Sequence, residues 1–198
     1  MASNPILKAI EFASKAHDGQ VRKFTGEPYV VHPLRVFIEA VICFDLADDA
    51  SEDVAVAAIL HDVVEDCGVS INDIDREFGM GVGEVVGWLT NPSKLHPDLP
   101  REERKAMDRR HIASAPIVAK FIKSLDRIDN LYGWSPADPF AVQYCDESQK
   151  LLDESLGDLP GFLIEEVQRA IDTLRSRANA VSVPAISDRE LCPPEEDG

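Results

Sequence analysis

Apolar residues recur along most of this chain at three- and four-residue spacing, the mark of amphipathic helices. Ile6, Ala9, Ile10, Ala13 and Ala16 form one such face. It opens on a Ser3-Asn4 cap with Pro5 in the first turn and is stopped by Gly19. Residues 19–31 read as a loop holding Gly26, Pro28 and the basic pair Arg22-Lys23. Pro33 opens a second predicted helix, ending near Phe44. A third, capped by Ser51, is apolar nearly all round from Val54 and runs on through His61-Asp62 until Gly68. Such a helix belongs in the interior. Ser70 caps a short helix holding Ile71, Ile74 and Phe78, and Gly79 to Gly83 read as a flexible joint before Val85-Val86 and Trp88-Leu89. Pro92, Pro97 and Pro100 mark a loop, and Arg101 to His111 a helix. Ser114-Ala115-Pro116 lead into a stripe of Val118, Phe121, Ile122, Leu125, Ile128 and Leu131. Two more helices fit residues 138–156 and 161–179. No alternating strand pattern of useful length and no internal repeat is present. The pattern predicts an all-α fold, a single bundle of about eight to ten helices over residues 1–180, with a disordered tail at 181–198.

Length fits this picture, since 198 residues suffice for one domain with a sizeable core. The longest uninterrupted apolar run, Val54 to Leu60, is far too short to span a bilayer. The first residues carry no secretory pattern, so the expected location is the cytoplasm, without a membrane partner. Cys43, Cys67, Cys145 and Cys192 are scattered and form no C-x-x-C pair, as expected of reduced thiols with no structural role.

Charge narrows the partners. A net charge of −16 argues against general binding to nucleic acid, which needs a basic surface. Part of that excess lies in the tail, where Asp188, Glu190, Glu195, Glu196 and Asp197 face only Arg189. Residues 98–127 run the other way, with eight bases against five acids. Such a basic island suits a small anionic ligand, or is simply a solvated helix face.

The candidate chemistry sits at the end of the third apolar helix. His61, Asp62, Glu65 and Asp66 are spaced three and four apart and crowd one side of a continuous helix. Buried charges must pair or coordinate a metal; the alternative is a helix end emerging into water. Further residues favour a metal. His32 precedes the helix-opening Pro33, and Asp126 and Asn130 share a face of the later striped helix. His32, His61, Asp62 and Asp126 make a mixed nitrogen and oxygen set suited to manganese, iron or zinc.

These residues match the H…HD…D pattern of HD-domain phosphohydrolases. The segment Ala16-His17-Asp18-Gly19-Gln20-Val21-Arg22-Lys23, with Gly26-Glu27-Pro28-Tyr29 and His32-Pro33, resembles the opening of the hydrolase domain in RelA/SpoT homologues. Ala58 to Asp66 resembles their HD and ED signature, and Lys123 to Leu131 their later D…N signature. The resemblance covers roughly residues 5–156, leaves no room for a synthetase domain, and points to a stand-alone small alarmone hydrolase of the Mesh type. It implies an HD-domain bundle with a manganese ion on His32, His61, Asp62 and Asp126, and Glu65 and Asp66 handling water and protons. The implied substrate is guanosine tetraphosphate or pentaphosphate (ppGpp, pppGpp), cut to GDP or GTP plus pyrophosphate. Asn130 would contact the sugar, and Arg22 and Lys23 the base and phosphate. Lys94, Arg104 and Lys105 would lie near the pyrophosphate, and Tyr144 would pack on the nucleotide. Phe24 replaces a small polar residue of the family, and Ser124 and Asp129 depart from its wording around Asp126. These departures bear on the substrate, leaving an adenosine alarmone or the 2′-phosphate of NADPH as alternatives, or a non-catalytic nucleotide sensor.

Overall fold

The computed structural model describes residues 4–43 and 49–182. Most of the predicted tail, with Cys192, lies outside them, as does the predicted end of the second helix at Phe44. Ten α-helices and one 3₁₀ turn make up the regular structure among the described residues. The one β feature there is an isolated bridge between Val21 and Pro28.

The organising element is α3 (Asp49–Leu60). Ala55 to Leu60 are each at most 1% exposed, as its all-round apolar surface demands. Around it pack α1 (Pro5–Ala16), α2 (Val31–Cys43) and α6 (Met80–Leu89), and α2 and α6 also meet α8 (Ile117–Gly133). A second layer holds α7 (Arg101–Ala113), α9 (Ala141–Ser155) and α10 (Gly161–Ser182), with α9 and α10 against each other and α10 against α8. One core runs through both layers. Ile171 is fully buried in the outer one. Ile171→Ala is expected to cost about 2–5 kcal/mol, seen as a lowered Tm with metal binding retained, since the deletion is remote from the site described below.

Three predicted boundaries shift. The second helix begins at Val31, so Pro33 falls within its first turn, where a missing N–H costs nothing. The predicted joint at 79–83 is compact. Gly79 turns at φ 96°, a backbone conformation that L side chains rarely adopt, and α6 starts at once. Ser70 caps α5 (Ile71–Phe78) through a reciprocal capping box with Asp73.

The third shift matters for function. The apolar helix does not run on to Gly68. It stops at Leu60, His61 and Asp62 form a turn, and a four-residue helix α4 (Val63–Asp66) follows. The His61 ring Nδ1 donates to the Ala58 carbonyl at 2.8 Å. A side chain that takes a backbone acceptor in this way competes with the helix ladder. His61, Asp62, Glu65 and Asp66 therefore do not share one face of a continuous helix, and their convergence comes from the break.

Candidate active site

Two imidazoles and two carboxylates meet where α2, the break after α3, and α8 come together. Single donor atoms from His32, His61 and Asp126 all lie within 4.8 Å of one another, and all three residues are buried. Asp62 adjoins them, with Oδ2 3.1 Å from His61 Nε2 and 3.4 Å from His32 Nε2. Asp126 Oδ1 lies 3.2 Å from His32 Nε2 and 3.8 Å from His61 Nε2. At these distances the groups attract, yet both Nε2 atoms are buried without an aligned hydrogen-bond partner.

The other ring nitrogens explain why. His32 Nδ1 donates to Asp129 Oδ2 at 2.7 Å, and His61 Nδ1 donates to the Ala58 carbonyl. Each Nδ1 thus gives its hydrogen to an oxygen, and each Nε2 faces the carboxylates, able to offer a lone pair to a metal once its own proton is displaced. Metal-binding histidines are held in this way. Burial pushes the His32 imidazole down, but Asp126, Asp129 and Asp62 outweigh it and carry it up to about 11. Burial opposes charge on His61 too, and Asp62 and Asp126 again prevail. Burial works against Asp62 and Asp126 as well. The imidazoles beside Asp62, and Lys123 with His32 beside Asp126, hold both carboxyls well below the usual range. The whole centre favours positive charge, and a divalent cation would supply it in place of the Nε2 protons.

Neighbouring residues hold this set in place. Lys123 Nζ donates to Asp126 Oδ2 at 2.8 Å, and Asn130 Nδ2 to Asp126 Oδ1 at 2.5 Å. Tyr29 donates to Asp62 Oδ2 at 2.8 Å, with Asp66 Oδ2 at 3.2 Å. Arg22 reaches across from the loop, Nη1 to Asn130 Oδ1 at 2.9 Å and Nη2 to Asp129 Oδ2 at 3.2 Å. The loop itself is braced by Arg22 N–H donating to the Glu27 carbonyl and Tyr29 N–H to the Gln20 carbonyl, both at 2.9 Å.

Glu65 and Asp66 stand beside the centre. The Asn91 N–H donates to Glu65 Oε1 at 2.5 Å. Lys94 Nζ lies 3.4 Å from Glu65 Oε2 and 3.3 Å from Asp66 Oδ1. Burial raises the Glu65 carboxyl above its ordinary value, against the pull of Lys123. That shift moves it toward the range in which a carboxylate can both take and return a proton.

The HD-domain family profile matches residues 9–151. The chain belongs to the HD-domain family, in its MESH1-like branch. It is 34% identical over 139 residues to the guanosine-3′,5′-bis(diphosphate) 3′-pyrophosphohydrolase MESH1 of Drosophila melanogaster, covering 66% of this chain and 72% of that one. A Vibrio cholerae enzyme with the same activity name is 38% identical over 123 residues, 60% of this chain but 16% of the relative. This chain thus spans less than a fifth of some curated relatives. Among solved structures it resembles a metazoan SpoT orthologue that hydrolyses ppGpp. The TM-score is 0.73 at 28% identity, over 87% of this chain and 97% of that one.

Within this HD-domain protein, the expected substrate residues divide into groups. Asn130 is engaged with Asp126, and Arg22 with Asn130 and Asp129. Lys23 is exposed, pairs with Asp138 at 3.0 Å, and lies 4.6 Å from the Phe24 ring centre. Lys94 meets Glu65 and Asp66. Lys105 lines a small cavity of about 30 Å³ with Lys123, Arg127, Asp108 and Glu147, and burial lowers its pKa. Arg104 instead braces the loop before α7, Nε donating to the Leu99 carbonyl at 3.2 Å. One face of Tyr144 is covered by Trp134, with ring centres 3.9 Å apart and planes at 15°. No helix of the described residues is long and apolar enough to cross a membrane. Cys43, Cys67 and Cys145 are free.

Sequence reasoning did not single out Tyr29, Lys123 and Asp129, which contact the candidate metal ligands. Each sits three positions from one of them, Tyr29 before His32 and the other two on either side of Asp126 on α8, where that spacing is the available signal. Asp129→Ala is expected to free the His32 ring and weaken metal binding by about 10–100-fold, the usual cost of losing a ligand's outer partner. Titration of the metal-free protein with manganese, followed by electron paramagnetic resonance, checks this.

Proposed function

We propose that this protein is a metal-dependent pyrophosphohydrolase that removes the 3′-pyrophosphate of ppGpp and pppGpp, releasing GDP or GTP. The carrying observation is the pair of buried Nε2 atoms, left without hydrogen-bond partners beside Asp62 and Asp126. The activity named for MESH1-type relatives supports the same reading. His32, His61, Asp62 and Asp126 would hold the metal, for which manganese is the proposed ion. When bound, it polarises a phosphate oxygen and acidifies a water.

The remaining work falls to side chains. Hydrolysis breaks the bond between the ribose 3′ oxygen and the adjacent phosphorus. The hydroxyl of water joins the pyrophosphate and a proton passes to the 3′ oxygen. Glu65, with its raised carboxyl, takes the proton from water and returns it to the leaving oxygen. Asp66 and Lys94 order the approach, and Lys94 also adds positive charge for the phosphates. Lys105, Arg104 and Lys23 are the further anion donors in this reading, and Arg22 and Asn130 position the nucleotide side of the site. In this reading residues 1–180 form the catalytic domain and 181–198 an acidic tail, with the protein working in the cytoplasm on a small nucleotide without nucleic acid.

Phe24 in the loop and Trp134 over Tyr144 favour keeping a second reading, in which the same chemistry acts on an adenosine alarmone or NADPH. A panel of ppGpp, pppGpp, the adenosine analogue and NADPH, incubated with manganese-loaded protein, decides between them. Pyrophosphate released from ppGpp is the expected result. Inorganic phosphate from NADPH, with none of the alarmones cut, sinks the first reading.

A further inference from the structure

The loop that carries Lys23 and the C-terminal end of α8 build a group of aromatic rings that the metal chemistry does not use. Phe24 and Trp134 have ring centres 5.0 Å apart at 49°, and Trp134 lies flat on Tyr144. Cations sit at both ends. Lys23 Nζ is 4.6 Å from the Phe24 ring centre and 5.9 Å from that of Trp134, and Arg127 Cζ is 4.8 Å from that of Tyr144. Burial grades along the row. Tyr144 is 9% exposed, whereas Phe24 and Trp134 are half-buried. The Trp134 Nε1 atom is buried and has no hydrogen-bond acceptor.

We infer that Trp134, with Phe24, is the surface on which this protein receives the base of its nucleotide, and that it accepts guanine and adenine alike. The inference rests on the nucleotide hydrolase reading and deepens it. Tyr144 cannot serve as that surface while Trp134 covers it, so the outer rings take the role. Trp134 follows Gly133 at the end of α8, eight residues beyond Asp126. At ~1.5 Å per residue that is about 12 Å along the axis, a span of the order of a nucleoside phosphate. Lys23 adds charge beside the same rings and suits a base that is followed by phosphates. Stacking reads the face of a base and not its edge, which is why the surface discriminates little between the two purines.

The chain has two tryptophans, so Trp88→Phe leaves Trp134 as the sole indole. Phenylalanine retains an aromatic ring for the Trp88 stack on His111. Manganese-loaded Trp88→Phe protein is titrated with GDP, ADP, UDP and inorganic pyrophosphate while its fluorescence is followed. GDP and ADP are expected to quench at similar concentrations, UDP more weakly, and pyrophosphate not at all. In turnover, Trp134→Ala and Phe24→Ala should raise KM by about 10–100-fold, with kcat and bound manganese unchanged, and Trp134→Phe should restore most of the loss. Absence of quenching by both purine nucleotides overturns the inference, as does an unchanged KM in Trp134→Ala. If the protein cuts nucleotides but the indole does not respond, the base surface is wrong and the hydrolase reading survives. If purines quench but no nucleotide is cut, the surface stands and the hydrolase reading falls.

Discussion

Asp126→Asn is expected to empty the metal centre and to lower turnover by about 10³-fold or more. A bound metal supplies several kcal/mol of charge stabilisation, and ~4 kcal/mol corresponds to that factor. The asparagine keeps the shape of the side chain. It removes the negative charge that faces both imidazoles at 3.2 and 3.8 Å and that pairs with Lys123 at 2.8 Å. Elemental analysis of protein purified in manganese should show near-equimolar metal in the parent and little in the variant. The substitution also leaves the half-buried Lys123 ammonium without its nearest carboxylate, at a cost of up to about 3–5 kcal/mol, the figure for a fully buried pair. A fall in Tm alone would therefore not identify a metal ligand. Adding Lys123→Met removes the stranded charge. The double variant should regain much of the lost stability and still bind no metal. Recovery of metal binding in it would show that Asp126 acts through Lys123 and not as a ligand.

Glu65→Gln should behave oppositely, losing about 10²–10⁴-fold in kcat while manganese content stays at the parent level. The amide can still accept the Asn91 N–H, so local structure has little reason to change. What disappears is a proton acceptor whose carboxyl burial has raised. Asp66→Asn should cost less, because the Asp66 side chain is 31% exposed against 9% for Glu65. Solvent screens the more open group and can stand in for it. Rapid-quench measurement of pyrophosphate release, paired with metal analysis, tests both. Equal losses in the two variants would contradict the assignment of Glu65 as the main proton carrier.

Much of this arrangement was legible before any coordinates. The burial of α3 follows from Val54 to Leu60, a run with no polar side to give to water. His32, His61, Asp62 and Asp126 stand out because imidazoles and carboxylates within apolar helices require a reason to be there. The break at His61-Asp62 was hidden because three- and four-residue spacing continues across it, and periodicity does not sense a side chain capturing the Ala58 carbonyl. Asp129 was hidden for a different reason. Its partner His32 lies 97 positions away, so its role exists only once α2 and α8 are packed. On sequence alone it was a departure from family wording. Trp134 carries no signal in the sequence, since nothing in local pattern reports that two rings will lie face to face.

One helix, α8, carries Lys123, Asp126, Asp129 and Asn130 and delivers Trp134 at its end. Inserting or deleting a residue between Asp126 and Trp134 would turn everything beyond it by roughly 100° about the axis, swinging the ring off the line of the metal-site acids. Evolution can therefore vary this stretch by exchange of residues but not by change of length. The turn at residues 135–140, which lies beyond Trp134 and pairs with the rest through side chains such as Asp138, is free of that restriction. Length variation among relatives should accordingly fall after Trp134 and spare the interval before it.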